Sequence, residues 1–227
     1  VIVVAEDGTA VIPALGGHKG ANDLSLKLAN FLEIKASITT ASDLHYNVAL
    51  DAPPAQFYLA NTNDYKSFMK NLLSGEKVSL DGYLPWLKNT GIPASRDGKL
   101  KIRNTHRNEI GNQFELIYNS ESLAVGVGCE RGTSVNELIS LVQTTLENNN
   151  LSKASVAVFV SIEQKMDEIA INAIADFFNK PLRFFDSVAL EEETPRLKNP
   201  SEIVFREVGS HGVAEASALA AVGPLGE

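Results

Sequence analysis

Leu15-Gly16-Gly17-His18-Lys19-Gly20-Ala21-Asn22 joins a strand-like run, Thr9 to Leu15, to a helix-like run, Asp23 to Leu32, and this strand–turn–helix junction sets an α/β reading for the chain. Glycines let the backbone turn tightly and let a ligand come close, while free N–H groups at a helix start point toward any arriving anion. His18 and Lys19 add a group that titrates near neutrality and a fixed positive charge, which suits anion binding combined with proton transfer. The same kind of turn is also a common plain connector, so its chemistry needs support from the rest of the chain.

Outward from this turn, residues 1–46 read as an amino-terminal α/β region. Val1-Ile2-Val3-Val4-Ala5 turns at Asp7-Gly8 and returns as Ala10-Val11-Ile12, a hairpin pattern. After the glycine turn, Leu24, Leu28, Phe31 and Leu32 share a helical face. A further strand is expected over Ala36 to Thr40; parallel to its neighbour, it would bring Thr40, Ser42 and Asp43 to one crevice beside the turn. These polar residues fit a strand end equally well.

Residues 47–119 read as a less regular middle or linker region. Pro53-Pro54 breaks the chain, a short helix is expected over Asp64 to Leu73 with Phe68 and Leu72 inward, and Leu100 to Ile102 and Phe114 to Ile117 are strand-like. Trp86, flanked by Leu84 and Leu87, reads as a packing anchor, and His106 and Arg107 as solvated.

In the carboxyl-terminal α/β region, residues 120–227, strand–turn–helix junctions recur. Leu123 to Gly128 runs through Cys129-Glu130-Arg131-Gly132-Thr133-Ser134 into a helix bearing Leu138, Leu141, Val142 and Leu146. Ser134 or Thr133 can cap that helix with Glu137 as capping-box partner; Arg131, just before a helix start, either faces solvent or assists an anion. Ala154 to Ile162 is a continuous apolar strand ending at Glu163-Gln164-Lys165-Met166-Asp167-Glu168, and a helix follows from Ile169 to Phe178. Asp167 and Glu168 also suit a helix first turn. Leu182 to Phe185 is strand-like, Pro200-Ser201-Glu202 opens a helix, and the alanines after Gly212 point to close helix packing.

Composition limits the partners. The chain has 227 residues, 44% hydrophobic, and 20 Lys+Arg against 28 Asp+Glu give a formal charge of −8, which disfavours nucleic acid and anionic membranes. One cysteine, Cys129, fits a reducing compartment, and its four histidines lack metal-ligand spacing, so no metal site is expected. No apolar run approaches the roughly 20 residues of a membrane span. A cytoplasmic protein is expected.

Together these motifs resemble the cobalamin biosynthesis protein G family. Gly16 to Asn22 followed by Ile38-Thr39-Thr40-Ala41-Ser42-Asp43 is similar to its amino-terminal region. Gly126 to Thr133, Ser161-Ile162-Glu163 with Lys165 and Asp167-Glu168, Asn199 to Glu202, and Gly212 to Ala216 resemble its carboxyl-terminal domain, in family order. Ser42 stands where the family pattern has Thr, and the resemblance implies further sequence before the first hairpin and a closing strand after the Ala-rich helix.

Strand–turn–helix alternation at both ends predicts two α/β units with mainly parallel sheets, joined by the irregular middle region, with a cleft between them. The resemblance implies a cobalt-precorrin-5A hydrolase: the δ-lactone of the precursor opens to give cobalt-precorrin-5B and acetaldehyde. No cofactor is implied, because the cobalt travels with the substrate. The partner is an anionic cobalt-corrin intermediate, with other corrin-pathway enzymes as neighbours in the pathway. His18 is the candidate base, Glu163 the second catalytic candidate, and Lys19 or backbone N–H groups can receive the oxyanion. Candidate substrate-binding residues are Gly16, Gly17, Lys19, Gly20, Asn22, Thr39, Thr40 and Asp43 toward the amino terminus. Toward the carboxyl terminus they are Cys129, Arg131, Gly132, Thr133, Lys165, Ser201, Glu202, Gly212 and Glu215. A non-catalytic carrier of a corrin intermediate is the alternative, because the carboxyl-terminal motifs also resemble the short protein E of the aerobic pathway.

Overall fold

The structure, a computed structural model, describes residues 1–14, 20–38 and 45–226. Its chain divides into two compact units, one of residues 1–105 with 109–120, the other of residues 106–108 with Glu121 onward. The class is α/β: among the described residues five of the seven strand pairings are parallel.

In the first unit β1 (Ile2–Val4) and β2 (Ala10–Pro13) form the expected antiparallel hairpin. Asp7 locks its turn by accepting the N–H and hydroxyl of Thr9 at 3.1 and 2.7 Å. α1 (Ala21–Leu32) leads to β3 (Lys35–Ala36), which pairs parallel to β2. Here the packing departs from the sequence pattern. α1 buries Ser25 and Ala29, while Leu24, Phe31 and Leu32 are exposed. The three strands are only two to four residues long, and small side chains let the helix backbone lie close on so narrow a sheet.

The rest of the first unit is built on β4 (Phe57–Leu59), α2 (Tyr65–Leu73), β5 (Val78–Asp81), β6 (Leu100–Asn104) and β7 (Glu115–Ser120). Its sheet runs β4-β7-β6-β5, with β5, β6 and β7 parallel and β4 antiparallel at the edge. Phe68 and Leu72 of α2 meet Ile102, Leu116 and Tyr118 in the core. Trp86 packs edge-on against Tyr118 at 5.4 Å and tilted against Phe57 at 6.1 Å, an anchor as expected. Residues 47–119 therefore hold more regular structure than their pattern announces, because strands of three to six residues carry too few alternations to declare a period.

The second unit is a three-stranded parallel sheet, β10-β9-β8, formed by β8 (Leu123–Gly126), β9 (Val156–Ile162) and β10 (Leu182–Phe185). α3 (Val135–Asn148) links β8 to β9, and α4 (Ile169–Phe178) links β9 to β10. Both helices cover one face, with Leu138, Val142, Leu146, Ile171 and Ile174 buried against Val156 and Phe159; crossovers of one hand in a sheet growing one way require this. α5 (Ser187–Glu191), α6 (Glu202–Val208) and α7 (Ala214–Val222) follow. α7 covers the other face, where Ala216 packs with Ile162 and Leu190. A Cβ on Gly126 would overlap the Ala214 carbonyl oxygen, so β8 and α7 approach backbone to backbone. Ser134 occupies the α3 N-cap without a side-chain cap bond, and Thr133 donates to the Glu130 carbonyl at 2.9 Å, so neither hydroxyl builds the expected capping box. Among the described residues no helix is long and apolar enough to cross a membrane.

Candidate functional site

The carboxyl ends of parallel strands are where open α/β sheets collect ligands, since the turns leaving them diverge above the sheet edge. In the second unit the chain leaves β8 through Gly128-Cys129-Glu130-Arg131 and β9 through Glu163-Gln164-Lys165. These turns, with α6 and the start of α7, enclose an open cleft of about 810 Å³. Ile162, Ile203, Val204, Val208 and Val213 give it an apolar surface, and Glu130, Arg131, Lys165 and Glu207 bring charge of both signs. The first turn of α7, at Val213 and Ala214, reaches the same space, and N–H groups there have no acceptor within the helix.

The turn from Cys129 to Thr133 is fixed by ionic contacts with the start of α4. Arg131 Nη1 donates to Asp167 Oδ1 at 2.6 Å, and Nη2 to the Gln164 carbonyl at 2.6 Å. Glu168 Oε2 stands 3.9 Å from Nη1, and Glu168 Oε1 accepts the Gly132 N–H at 3.3 Å. The hydrogen bond from Arg131 holds the Asp167 carboxyl below its ordinary range, and the same bond raises the basicity of Arg131. Glu168 is only 5% exposed, a position a carboxylate rarely occupies without such partners. Arg131 is thus already matched by acidic groups. Lys165, half-buried in the cleft, makes no ion pair among the described residues. Of the two cations lining the cleft it is the one without an ion pair among the described residues. Cys129, a half-buried free thiol, lines the cleft beside it.

The structure brings together Cys129, Arg131 and Lys165 of the expected residues. Gly132, at φ +77°, and Thr133 complete the turn behind them. Glu163 is exposed on the turn Glu163–Lys165 and is not among the cleft-lining residues. Ser201 caps α6 by accepting the Val204 N–H at 3.4 Å, and Glu202 is exposed in the first turn of that helix. Gly212 lies against Leu197, with a built Cβ 3.0 Å from its Cδ1. Glu215 accepts the Lys198 N–H at 2.8 Å and the Asn199 N–H at 3.4 Å, so it holds the loop before α6. In the first unit Gly20 stands at φ +86° before α1, and Asn22 is in the first turn of that helix. Gly16, Gly17, His18, Lys19, Thr39, Thr40 and Asp43 lie outside the described residues.

The sequence reading missed the α6 wall, Ile203, Val204, Glu207 and Val208, and Gln164, whose Nε2 donates to the Val208 carbonyl at 3.3 Å. No local sequence signal marks these residues: that Ile203 is 68% exposed, on a short helix beside the cleft, shows only in the structure. Among the described residues no group of three or more His, Cys, Asp and Glu could hold a metal ion.

Residues 1–43 match the family model described as Cobalamin synthesis G N-terminal, and residues 123–226 match Cobalamin synthesis G C-terminus. The chain is 42% identical over 101 residues to Protein CobE of Sinorhizobium sp, covering 44% of this chain and 66% of that protein. It is 26% identical over 245 residues to the cobalt-precorrin-5A hydrolase of Priestia megaterium, covering 96% of this chain and 64% of that protein. To the probable cobalt-precorrin-5A hydrolase of Methanocaldococcus jannaschii it is 24% identical over 232 residues, covering 99% and 68%. The chain spans about two thirds of the length of each of these relatives. With both ends matched in order by the two halves of one family, and the cleft built from the motifs of the second, the chain belongs to the cobalamin biosynthesis protein G family.

Proposed function

We propose that this chain acts in cobalamin biosynthesis by hydrolysing the δ-lactone of cobalt-precorrin-5A, giving cobalt-precorrin-5B and acetaldehyde. The observation that carries the reading is the cleft at the carboxyl ends of β8 and β9, which joins an apolar wall to the unpaired Lys165 and the start of α7. A corrin precursor is a broad, partly apolar macrocycle fringed with carboxylates. An apolar wall receives its face, and a cation with helix N–H groups receives a carboxylate at its edge. Lactone opening needs an activated water and a stabilised oxyanion. His18 is the proposed base, with Glu163 as the second candidate, and Lys19 or neighbouring N–H groups the oxyanion partners. The cobalt belongs to the substrate, and no cofactor of the protein's own enters the scheme.

Incubating the full chain with cobalt-precorrin-5A and assaying acetaldehyde tests the reading. Catalytic release supports it. No release from folded protein that still binds the corrin favours a carrier. One observation speaks for that second reading: the cleft lies wholly within residues 123–226, the part matched by Cobalamin synthesis G C-terminus, and 101 residues of the chain are 42% identical to Protein CobE.

A further inference from the structure

α6 supplies a wall of the cleft through Ile203, Val204, Glu207 and Val208, yet none of its seven residues is buried. Its contact with the core is through the partly buried Val208 at its last position, which packs on the cluster of Ile162, Leu190 and Ala216, so core packing holds the helix at one end and weakly. Behind it stands His211, which is not among the cleft-lining residues. Its Nδ1 lies 2.9 and 3.0 Å from the two carboxylate oxygens of Glu191, the last residue of α5. Its backbone N–H donates to Glu191 Oε2 at 3.0 Å, and its carbonyl accepts the Ser201 N–H at 2.8 Å, immediately before α6. The ring stacks on Phe205 of α6, with centroids 4.4 Å apart at 22°, and Nε2 is 3.5 Å from Glu202 Oε1. One side chain therefore ties α5, α6 and the turn that enters α7.

We infer that His211 is a positioning residue that clamps α6 and so sets the width of the cleft. That the occupant is a carboxylated cobalt-corrin rests on the function proposed above; the clamp itself does not. The charged groups facing the ring are Glu191 from α5 and Glu202 from α6. Thr194 donates to Glu191 Oε2 at 3.0 Å, and Arg206 turns back to the Glu202 carbonyl at 3.3 Å. A protonated ring donates from both nitrogens. Losing the proton leaves Nδ1–H on Glu191 but makes Nε2 an acceptor facing the Glu202 carboxylate, so an attractive contact becomes a repulsive one. The hydrogen bond to Glu191 lifts the pKa of His211 above its ordinary value. The clamp is complete below the ordinary histidine value and slackens as pH rises through the raised one.

The test follows amide exchange of peptides spanning α6 relative to peptides of α3, in the full chain, from about pH 6 to about pH 9. Neither this nor alkylation of Cys129, the chain's one cysteine and a cleft residue, requires the corrin, so failure of the clamp is distinct from failure of the proposed reaction. In the wild type the α6-to-α3 exchange ratio should rise by about fivefold to tenfold across the range. Iodoacetamide should modify Cys129 faster relative to His211→Gln over the same interval. His211→Gln keeps a donor for Glu191 but cannot titrate, so its ratio should be flat with pH. Glu191→Gln should raise the ratio already at the acidic end. A wild-type ratio that is flat with pH and unchanged in Glu191→Gln overturns the clamp, and this pair of measurements decides the matter even if His211→Gln does not fold.

Discussion

Lys165 and Arg131 both line the cleft, but their partners differ, and so do the consequences of removing them. Arg131 is engaged by Asp167 and the Gln164 carbonyl at 2.6 Å each, so its first effect is on the shape of its own turn. Asp167, with its pKa depressed by the Arg131 hydrogen bond, contributes a pairing that is present above the ordinary carboxylate range and lost as pH falls through the lowered value. Both groups are exposed, so solvent screens the pair and its effect is on geometry more than on stability. In Arg131→Met the Asp167 carboxyl should titrate at an ordinary value, followed by its carbon chemical shift; an unchanged titration would mean that the hydrogen bond does not set it. Lys165 has a different role. Lys165→Ala should weaken cobalt-precorrin-5A binding by about threefold to tenfold, more at low salt than at high salt, with little change in melting temperature. Equilibrium dialysis at two ionic strengths checks this.

At the scale of elements, β8 meets α7 backbone to backbone in the second unit. Gly126 meets the Ala214 backbone, where no side chain can fit. Gly126→Ala should destabilise that unit by about 2–4 kcal/mol, since the obstacle is backbone and cannot rotate away, and denaturant melting measures it. Elements with a strong local signal were legible from sequence. α4 and β10 occupy the expected Ile169–Phe178 and Leu182–Phe185, where apolar runs stand between clear turns. α1 was legible as a helix but not in its orientation, because its buried residues are Ser25 and Ala29, and hydrophobic pattern cannot rank a serine above a phenylalanine. The site divides in the same way. Cys129, Arg131 and Lys165 were readable because a turn leaving a strand is a local feature. The α6 wall and His211 were not, because their function arises only when chain more than 70 residues after Cys129 folds back over the β8 and β9 ends.

At the scale of the whole molecule, the proposed hydrolysis needs a base as well as a place to hold the corrin, and His18 is the residue proposed for it. His18→Asn keeps polar shape and removes the titrating base, so turnover should fall by on the order of 10²-fold while corrin affinity changes little. Single-turnover acetaldehyde release and equilibrium binding separate the two effects, and unchanged turnover would move the base to Glu163. A corrin seated in the cleft at the carboxyl ends of β8 and β9 would cover Cys129, which, as the chain's only cysteine, is a built-in reporter of that space. The most direct measurement is the rate of Cys129 alkylation by iodoacetamide with and without saturating cobalt-precorrin-5A. With the corrin bound, protection of about tenfold or more is expected. An unchanged rate while the same sample binds or turns over the corrin would contradict that placement.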